Sequence, residues 1–166
     1  MFYPNEIYEA IEKIDIQKLL NNNIQGMILD VDNTLIDHNR ILTDKVINWV
    51  NEVKEAGIKV YILSNTIKKR KVEDVSKKLD IPYIMFAKKP SKKGFIECIE
   101  KLNIKPENIC VIGDQIFTDI LGGNRMGMYT IYTKPINKKD CSITTTVKRP
   151  FEKIVLKKYV QKKGDK

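Results

Sequence analysis

The chain has 166 residues, 42% hydrophobic and 31% charged, a composition that fits one soluble globular domain long enough to bury a core. It has no apolar run near the roughly 18 residues of a membrane span, no signal-like N-terminus, and three dispersed cysteines (Cys98, Cys110, Cys141) that form neither a disulfide framework nor a zinc pattern, so the expected compartment is the reducing cytoplasm. Thirty Lys and Arg against 21 Asp and Glu give a net charge of +9, which suits an anionic partner (nucleic acid, an anionic membrane face or a phosphorylated substrate) or a merely solvated basic surface.

In chain order, residues 1–23 form an amphipathic N-terminal segment that carries Phe2, Tyr3, Ile7, Tyr8, Ile11 and Ile14 among charges. Packing on its own domain is one fate for this stripe, and an interfacial helix at a membrane is another. Asn21 to Asn23 then break the pattern, and GMILDV reads as the first strand. Residues 44–56 place Val46, Ile47, Val50 and Val53 on one helical face, with Thr43 as N-cap and Gly57 as the stop. IKVYILS is the second strand, 67–79 a basic helix that presents Val72, Val75 and Leu79, and YIMFA a short third strand after Pro82. SKKGFIECIEKL turns Phe95, Ile96, Ile99 and Leu102 inward, NICVIGD is the fourth strand, TDILGGNRMG opens a short helix and MYTIYT is the fifth strand. Pro150 falls where a first helical position is expected, ahead of Phe151, Ile154, Val155 and Tyr159. Such alternation predicts an α/β, Rossmann-like three-layer sandwich with a mostly parallel sheet, divided into a core over 24–133 and a tail and helix over 134–166.

Parallel sheets bind ligands beyond the carboxyl ends of their strands. Here those ends read Asp30-Val-Asp32-Asn-Thr34, Ser64-Asn65-Thr66, Ala87-Lys88-Lys89-Pro90 and Gly113-Asp114-Gln115, with Asp119 shortly after. On one sheet edge, three carboxylates, a hydroxyl and a lysine can meet. Carboxylates with a backbone carbonyl suit Mg²⁺, whereas a hydroxyl, amides and an ammonium suit phosphate oxygens. A carboxylate that faces phosphorus can act as a nucleophile. Asp30 and Asp32 can therefore stand one residue apart because a cation lies between them and a phosphate.

These four elements, in this order, resemble the haloacid dehalogenase superfamily of phosphotransferases over roughly residues 26–133. The resemblance implies that Asp30 is the nucleophile. It implies that Asp32 is the acid and then the base, with its carbonyl on the metal. Ser64, Asn65 and Lys89 are implied at the phosphoryl group, Lys89 rather than Lys88 because it precedes Pro90. Mg²⁺ is implied on Asp30, Asp32 and Asp114, with Asp119 and Thr34 in support. Only 31 residues separate Asp32 from Ser64, and 24 separate Ser64 from Lys89, so neither gap holds a cap domain, as in the superfamily's uncapped subclass IIIA. An open site suits a substrate that brings its own bulk.

The stretch GDQIFTDILGGNRMG and the tail TTTVKRPFEKIV look like the phosphatidylglycerophosphate phosphatase branch, which includes the mitochondrial enzyme and bacterial relatives; the likeness runs from about Ile16 to Leu156. This resemblance implies release of phosphate from phosphatidylglycerophosphate to leave phosphatidylglycerol, with a lipid headgroup at an anionic membrane surface as partner. Nucleic acid ends, nucleotides and phosphoproteins are alternative substrates for the same chemistry. A basic scaffold without activity is the alternative from another class.

Other positions carry weaker signals. Lys68, Lys69, Arg70 and Lys71 put positive charge at a helix N-terminus, where it is unfavourable, and read as a substrate contact or a solvated face. Arg125, behind Gly122-Gly123, reads as an anion contact or a structural residue, while Lys148 and Arg149 draw only on the tail resemblance. His38, the single histidine, is expected in an exposed turn, which excludes any histidine triad within one chain. Trp49 and Cys110 are expected in the core.

Overall fold

The computed structural model describes residues 1–137 and 143–164, with side chains over 1–137 and 150–161. Cys141 and the side chains of Lys148 and Arg149 lie outside the described residues. The strands are β1 (Glu6–Tyr8), β2 (Gly26–Leu29), β3 (Lys59–Leu63), β4 (Tyr83–Ile84), β5 (Ile109–Gly113) and β6 (Tyr129–Thr133). The helices are α1 (Ile16–Asn21), α2 (Asp44–Glu55), α3 (Lys69–Leu79), α4 (Lys92–Leu102), α5 (Leu121–Arg125) and α6 (Ile143–Gly164). One sheet takes the order β1-β6-β5-β2-β3-β4, and every pairing is parallel.

Alternation along the central strands sorts the core onto two faces. Met27 and Leu29 pack with Trp49, Val50, Val53, Val72 and Leu79 beneath α2 and α3. Ile28, between them, points the other way, onto Phe95, Cys98 and Leu102 of α4. Three layers result, as the sequence pattern predicts. Trp49 is buried and donates its indole N–H to the Ile14 carbonyl at 3.0 Å, and Cys110 is fully buried in β5. Thr43 caps α2 by accepting the Val46 amide, and Gly57 follows that helix at φ +84°.

Three expectations are corrected: Ile96 of α4, expected inward, is 43% exposed, and the other two concern the ends of the chain. The N-terminal segment is not an amphipathic helix. It supplies a sixth strand, β1, on β6, and then a turn that sends Ile11 and Ile14 into the core at 1% and 3% exposure. Ile11 and Ile14 are spent on the domain, whereas Phe2 and Tyr3 stay exposed at 41% and 38%. The last helix also does not start at Pro150. It begins at Ile143 and runs through the proline, so Pro150 removes an interior backbone hydrogen bond instead of opening the helix.

Strand order reverses beside β2: the chain moves outward through β3 and β4, then returns to place β5 on the other flank of β2. This switch point brings the ends of β2 and β5, with Asp30 and Asp114, side by side.

Candidate active site

Asp30 is the first residue beyond β2 and is held by its amide, which donates to the Ile112 carbonyl at 3.0 Å. Its Oδ1 lies 2.6 Å from the Lys89 ammonium. The same ammonium lies 2.7 Å from Asp119 Oδ1 and donates to the Leu63 carbonyl at 2.7 Å. The side chains of Lys89 and Asp119 are 3% and 1% exposed, so both charges are out of water. Asp119 is fixed in turn by the Gln115 amide, 3.2 Å from Oδ2, and by the Thr118 hydroxyl at 3.3 Å. Gly113 makes room for this: a Cβ there would lie 2.4 Å from the Asp119 carboxylate. Asp114 is fully buried, and one oxygen each from Asp30, Asp114 and Asp119 lie within 4.8 Å of one another.

Burial pushes the Asp30 carboxyl from its ordinary 3.8 up to about 7, against the pull of Lys89 and with the push of the Asp119 and Asp32 charges. For Lys89, burial disfavours the ammonium, but Asp119 and Asp30 outweigh it and hold the group above the ordinary lysine value. Three buried carboxylates thus stand together with one lysine, which pairs with Asp30 and Asp119. Full ionisation would leave an excess of two negative charges in low dielectric, a donor set and a charge that suit a divalent cation with hard oxygen ligands.

Ser64, 1% exposed at the end of β3, accepts the Thr66 amide at 3.2 Å, and its own hydrogen remains available for a phosphate oxygen. The Asn65 side chain, expected at the phosphoryl group, is engaged elsewhere: it accepts the Lys89 amide at 2.7 Å and donates to the Lys89 carbonyl at 3.2 Å. It clamps the loop that delivers the lysine. Lys88 points to solvent. Thr34 is buried, with no hydrogen-bond partner for its hydroxyl among the described residues. The Asp32 side chain is 43% exposed and is paired with Lys71 from the first turn of α3.

Sequence reasoning did not single out Lys71 from its basic neighbours; nothing local marks it, since its partner is 39 residues away. It also missed Glu152. This α6 carboxylate is 2% exposed and accepts the amides of Ile116 at 2.8 Å and Phe117 at 3.4 Å, which pins the turn between Asp114 and Asp119. Arg125 donates to the Pro90 carbonyl at 3.4 Å, and Asn124 donates to the carbonyls of Met1 and Tyr3, so both polar residues of GGNR brace backbone. His38 is exposed in its turn.

Between Asp32 and Ser64 the chain holds only α2 and β3, and between Ser64 and Lys89 only α3 and β4. A family profile described as mitochondrial PGP (phosphatidylglycerophosphate) phosphatase matches residues 1–137. The chain belongs to this family. It is therefore a phosphatase of the haloacid dehalogenase superfamily. It is 43% identical over 144 residues to the probable phosphatase YqeG of Bacillus subtilis, covering 86% of this chain and 83% of that one. It is 28% identical over 133 residues to the mitochondrial phosphatidylglycerophosphatase GEP4 of Saccharomyces cerevisiae, covering 72% of each. Among solved structures, the fold matches the cobalt-bound deoxy-D-mannose-octulosonate 8-phosphate phosphatase of Haemophilus influenzae, with TM-score 0.57 and 20% identity over 70% of this chain and 71% of that one. No helix among the described residues is long and apolar enough to cross a membrane.

Proposed function

We propose that this phosphatase hydrolyses the terminal phosphomonoester of phosphatidylglycerophosphate through a phosphoryl-Asp30 intermediate. The observation that carries the chemistry is the buried Asp30–Lys89–Asp119 array beside Asp114. Lys89 occupies Oδ1 of Asp30, which leaves Oδ2 to attack phosphorus. As the Asp30–P bond forms, the bond from phosphorus to the leaving oxygen breaks, and Asp32 gives that alkoxide a proton. Water then attacks phosphorus, Asp32 takes its proton, and inorganic phosphate leaves with Asp30 restored. Ser64 and Lys89 hold the phosphoryl oxygens, while Asp119 keeps Lys89 charged and in place. Asp30, Asp114 and the Asp32 carbonyl are the residues to hold Mg²⁺, which when bound neutralises phosphate charge.

Family membership supports the lipid substrate, and a feature on the leaving-group side supports it further. Lys71, the partner of Asp32, also lines a cleft of about 280 Å³ between α3 and the loop after the nucleophile. Arg40, Lys71, Lys77 and Lys78 line it, against Asp74 as the acidic side chain. Arg40, Lys77 and Lys78 form no ion pair among the described residues. An alcohol that departs toward Asp32 meets these cations, and phosphatidylglycerol is an alcohol with a phosphodiester three carbons away.

The test is phosphate release from phosphatidylglycerophosphate in mixed micelles with Mg²⁺, with EDTA and with Asp30→Asn, beside a soluble phosphomonoester and a 5′-phosphorylated oligonucleotide. Mg²⁺-dependent release from the lipid, absent in Asp30→Asn, is expected. Release from the soluble ester or oligonucleotide alone would keep the mechanism and refute the lipid.

A further inference from the structure

We propose that the rim of the active site, the loops after β2, β3, β4 and β6, is a docking face for an anionic bilayer. This rests on the lipid-substrate reading and names the surface that meets the lipid's own membrane.

Each of these loops leaves one large apolar side chain in solvent: Ile41 at 55% exposure, Ile67 at 75%, Phe86 at 56% and Ile136 at 47%. Single exposed apolar residues are ordinary. Four on the loops that carry or abut the catalytic residues are not scattered. The loops are tied together: the Ala87 amide donates to the Ser64 carbonyl at 3.1 Å, the Ile136 amide to the Asn33 carbonyl at 3.0 Å, and Asn65 clamps Lys89. Arg40, beside Ile41, lines the same cleft as Lys71 of α3.

Phe86 gives the clearest sign. It adopts φ +54°, a left-handed backbone that a bulky residue takes at a cost. The cost is not offset by packing, since over half of the residue faces water. That conformation holds an aromatic ring at the surface next to Lys88 and the catalytic lysine.

Charge completes the pattern. Lys68, Lys88 and Arg40 on these loops, and Arg70 in the adjoining first turn of α3, are exposed and form no ion pair among the described residues. The first turn of α3 carries Lys69, Arg70 and Lys71, with no acidic residue and no side-chain cap. Lys69 pairs with Glu73 and Lys71 with Asp32, whereas Arg70 opposes the helix dipole with no ion-pair partner among the described residues. Apolar side chains ringed by unpaired cations match the interface of an anionic membrane, where acyl chains and headgroups offer both complements. An open site then receives the scissile phosphate from the bilayer to which the rim is bound. Ile11 and Ile14 of the N-terminal segment cannot serve this role, because both are in the core.

The experiment is co-sedimentation of the full chain with vesicles of phosphatidylcholine alone and of phosphatidylcholine mixed with phosphatidylglycerol. The wild type is expected to sediment with the mixed vesicles, and less so as salt rises. Joint Ile41→Ser, Ile67→Ser, Phe86→Ser and Ile136→Ser is expected to lower the partition constant about tenfold or more. Joint Lys68→Gln, Arg70→Gln and Lys88→Gln is expected to lower it about a hundredfold. Ile96→Ser on α4, an exposed apolar site on the flank, is the matched control, and thermal melting verifies that each variant is folded. No sedimentation of the wild type, equal binding to both vesicles, or an equal loss in the Ile96→Ser control would overturn the docking face. The substrate reading is scored separately by phosphate release in micelles. Hydrolysis without sedimentation refutes the rim alone, and sedimentation without hydrolysis refutes the substrate alone.

Discussion

Replacing Lys89 by methionine keeps the length of the side chain and removes the one charge that Asp30 and Asp119 share. The ammonium lies 2.6 and 2.7 Å from the two carboxylates, and all three side chains are at most 9% exposed. Coulomb attraction at an effective dielectric constant of about 20 is of order 6 kcal/mol for each contact. Desolvation of the three charges takes back much of this, so the expected loss of stability is about 3–5 kcal/mol, the usual cost of removing one partner from a buried pair. Urea unfolding at pH 8 in EDTA measures it. The loss is expected to shrink near pH 5, where Asp30 takes up a proton and one of the two orphaned charges disappears. Mg²⁺ is expected to recover part of it at pH 8, by about 2.7 kcal/mol at a hundredfold excess over its dissociation constant. A Lys89→Met protein as stable as the wild type at pH 8 in EDTA would refute the account of Lys89 as the counter-charge.

Three further outcomes are expected. Gly113→Ala places a Cβ 2.4 Å from the Asp119 carboxylate, so it should cost about 1–3 kcal/mol by overpacking and lower phosphatase turnover as Lys89 loses its brace; unfolding curves and turnover check this. Glu152→Ala leaves the buried Ile116 amide without its acceptor, which should cost about 1–3 kcal/mol and weaken Mg²⁺ binding by loosening the turn between Asp114 and Asp119, as read by calorimetry. The third concerns pH. The folded-state pKa of Asp30 stands at about 7, above its ordinary 3.8, so its contribution to stability is complete below the lower value and is lost as pH rises through the upper one. The raised value of Lys89 acts only above the ordinary lysine pKa of 10.5, outside that window. Metal-free wild type should therefore lose stability relative to Asp30→Asn between about pH 4 and pH 7, and a flat difference in melting temperature across that range would contradict it.

The layered fold and the neighbourhood of Lys89 are both legible in the order of residues along the chain. Both are local or ordinal: alternation in GMIL and ICVIG sorts faces, and Asp30, Ser64, Lys89 and Asp114 each follow a strand, which a parallel sheet turns into one edge. Tertiary structure decided what pairs across distance. Asn65 is adjacent to Ser64 in sequence, yet its amide turns to the Lys89 backbone 24 positions away. Lys71 meets Asp32 across 39 residues, and Glu152 reaches Ile116 across 36. No local pattern separates these from other lysines and glutamates on helix surfaces, because the selecting contact exists only once the sheet is closed. The N-terminal stripe shows the same limit: its apolar spacing fits a helix, but the free edge of β6 offers backbone hydrogen bonds and core burial together, and Ile11 and Ile14 follow that larger gain into the interior.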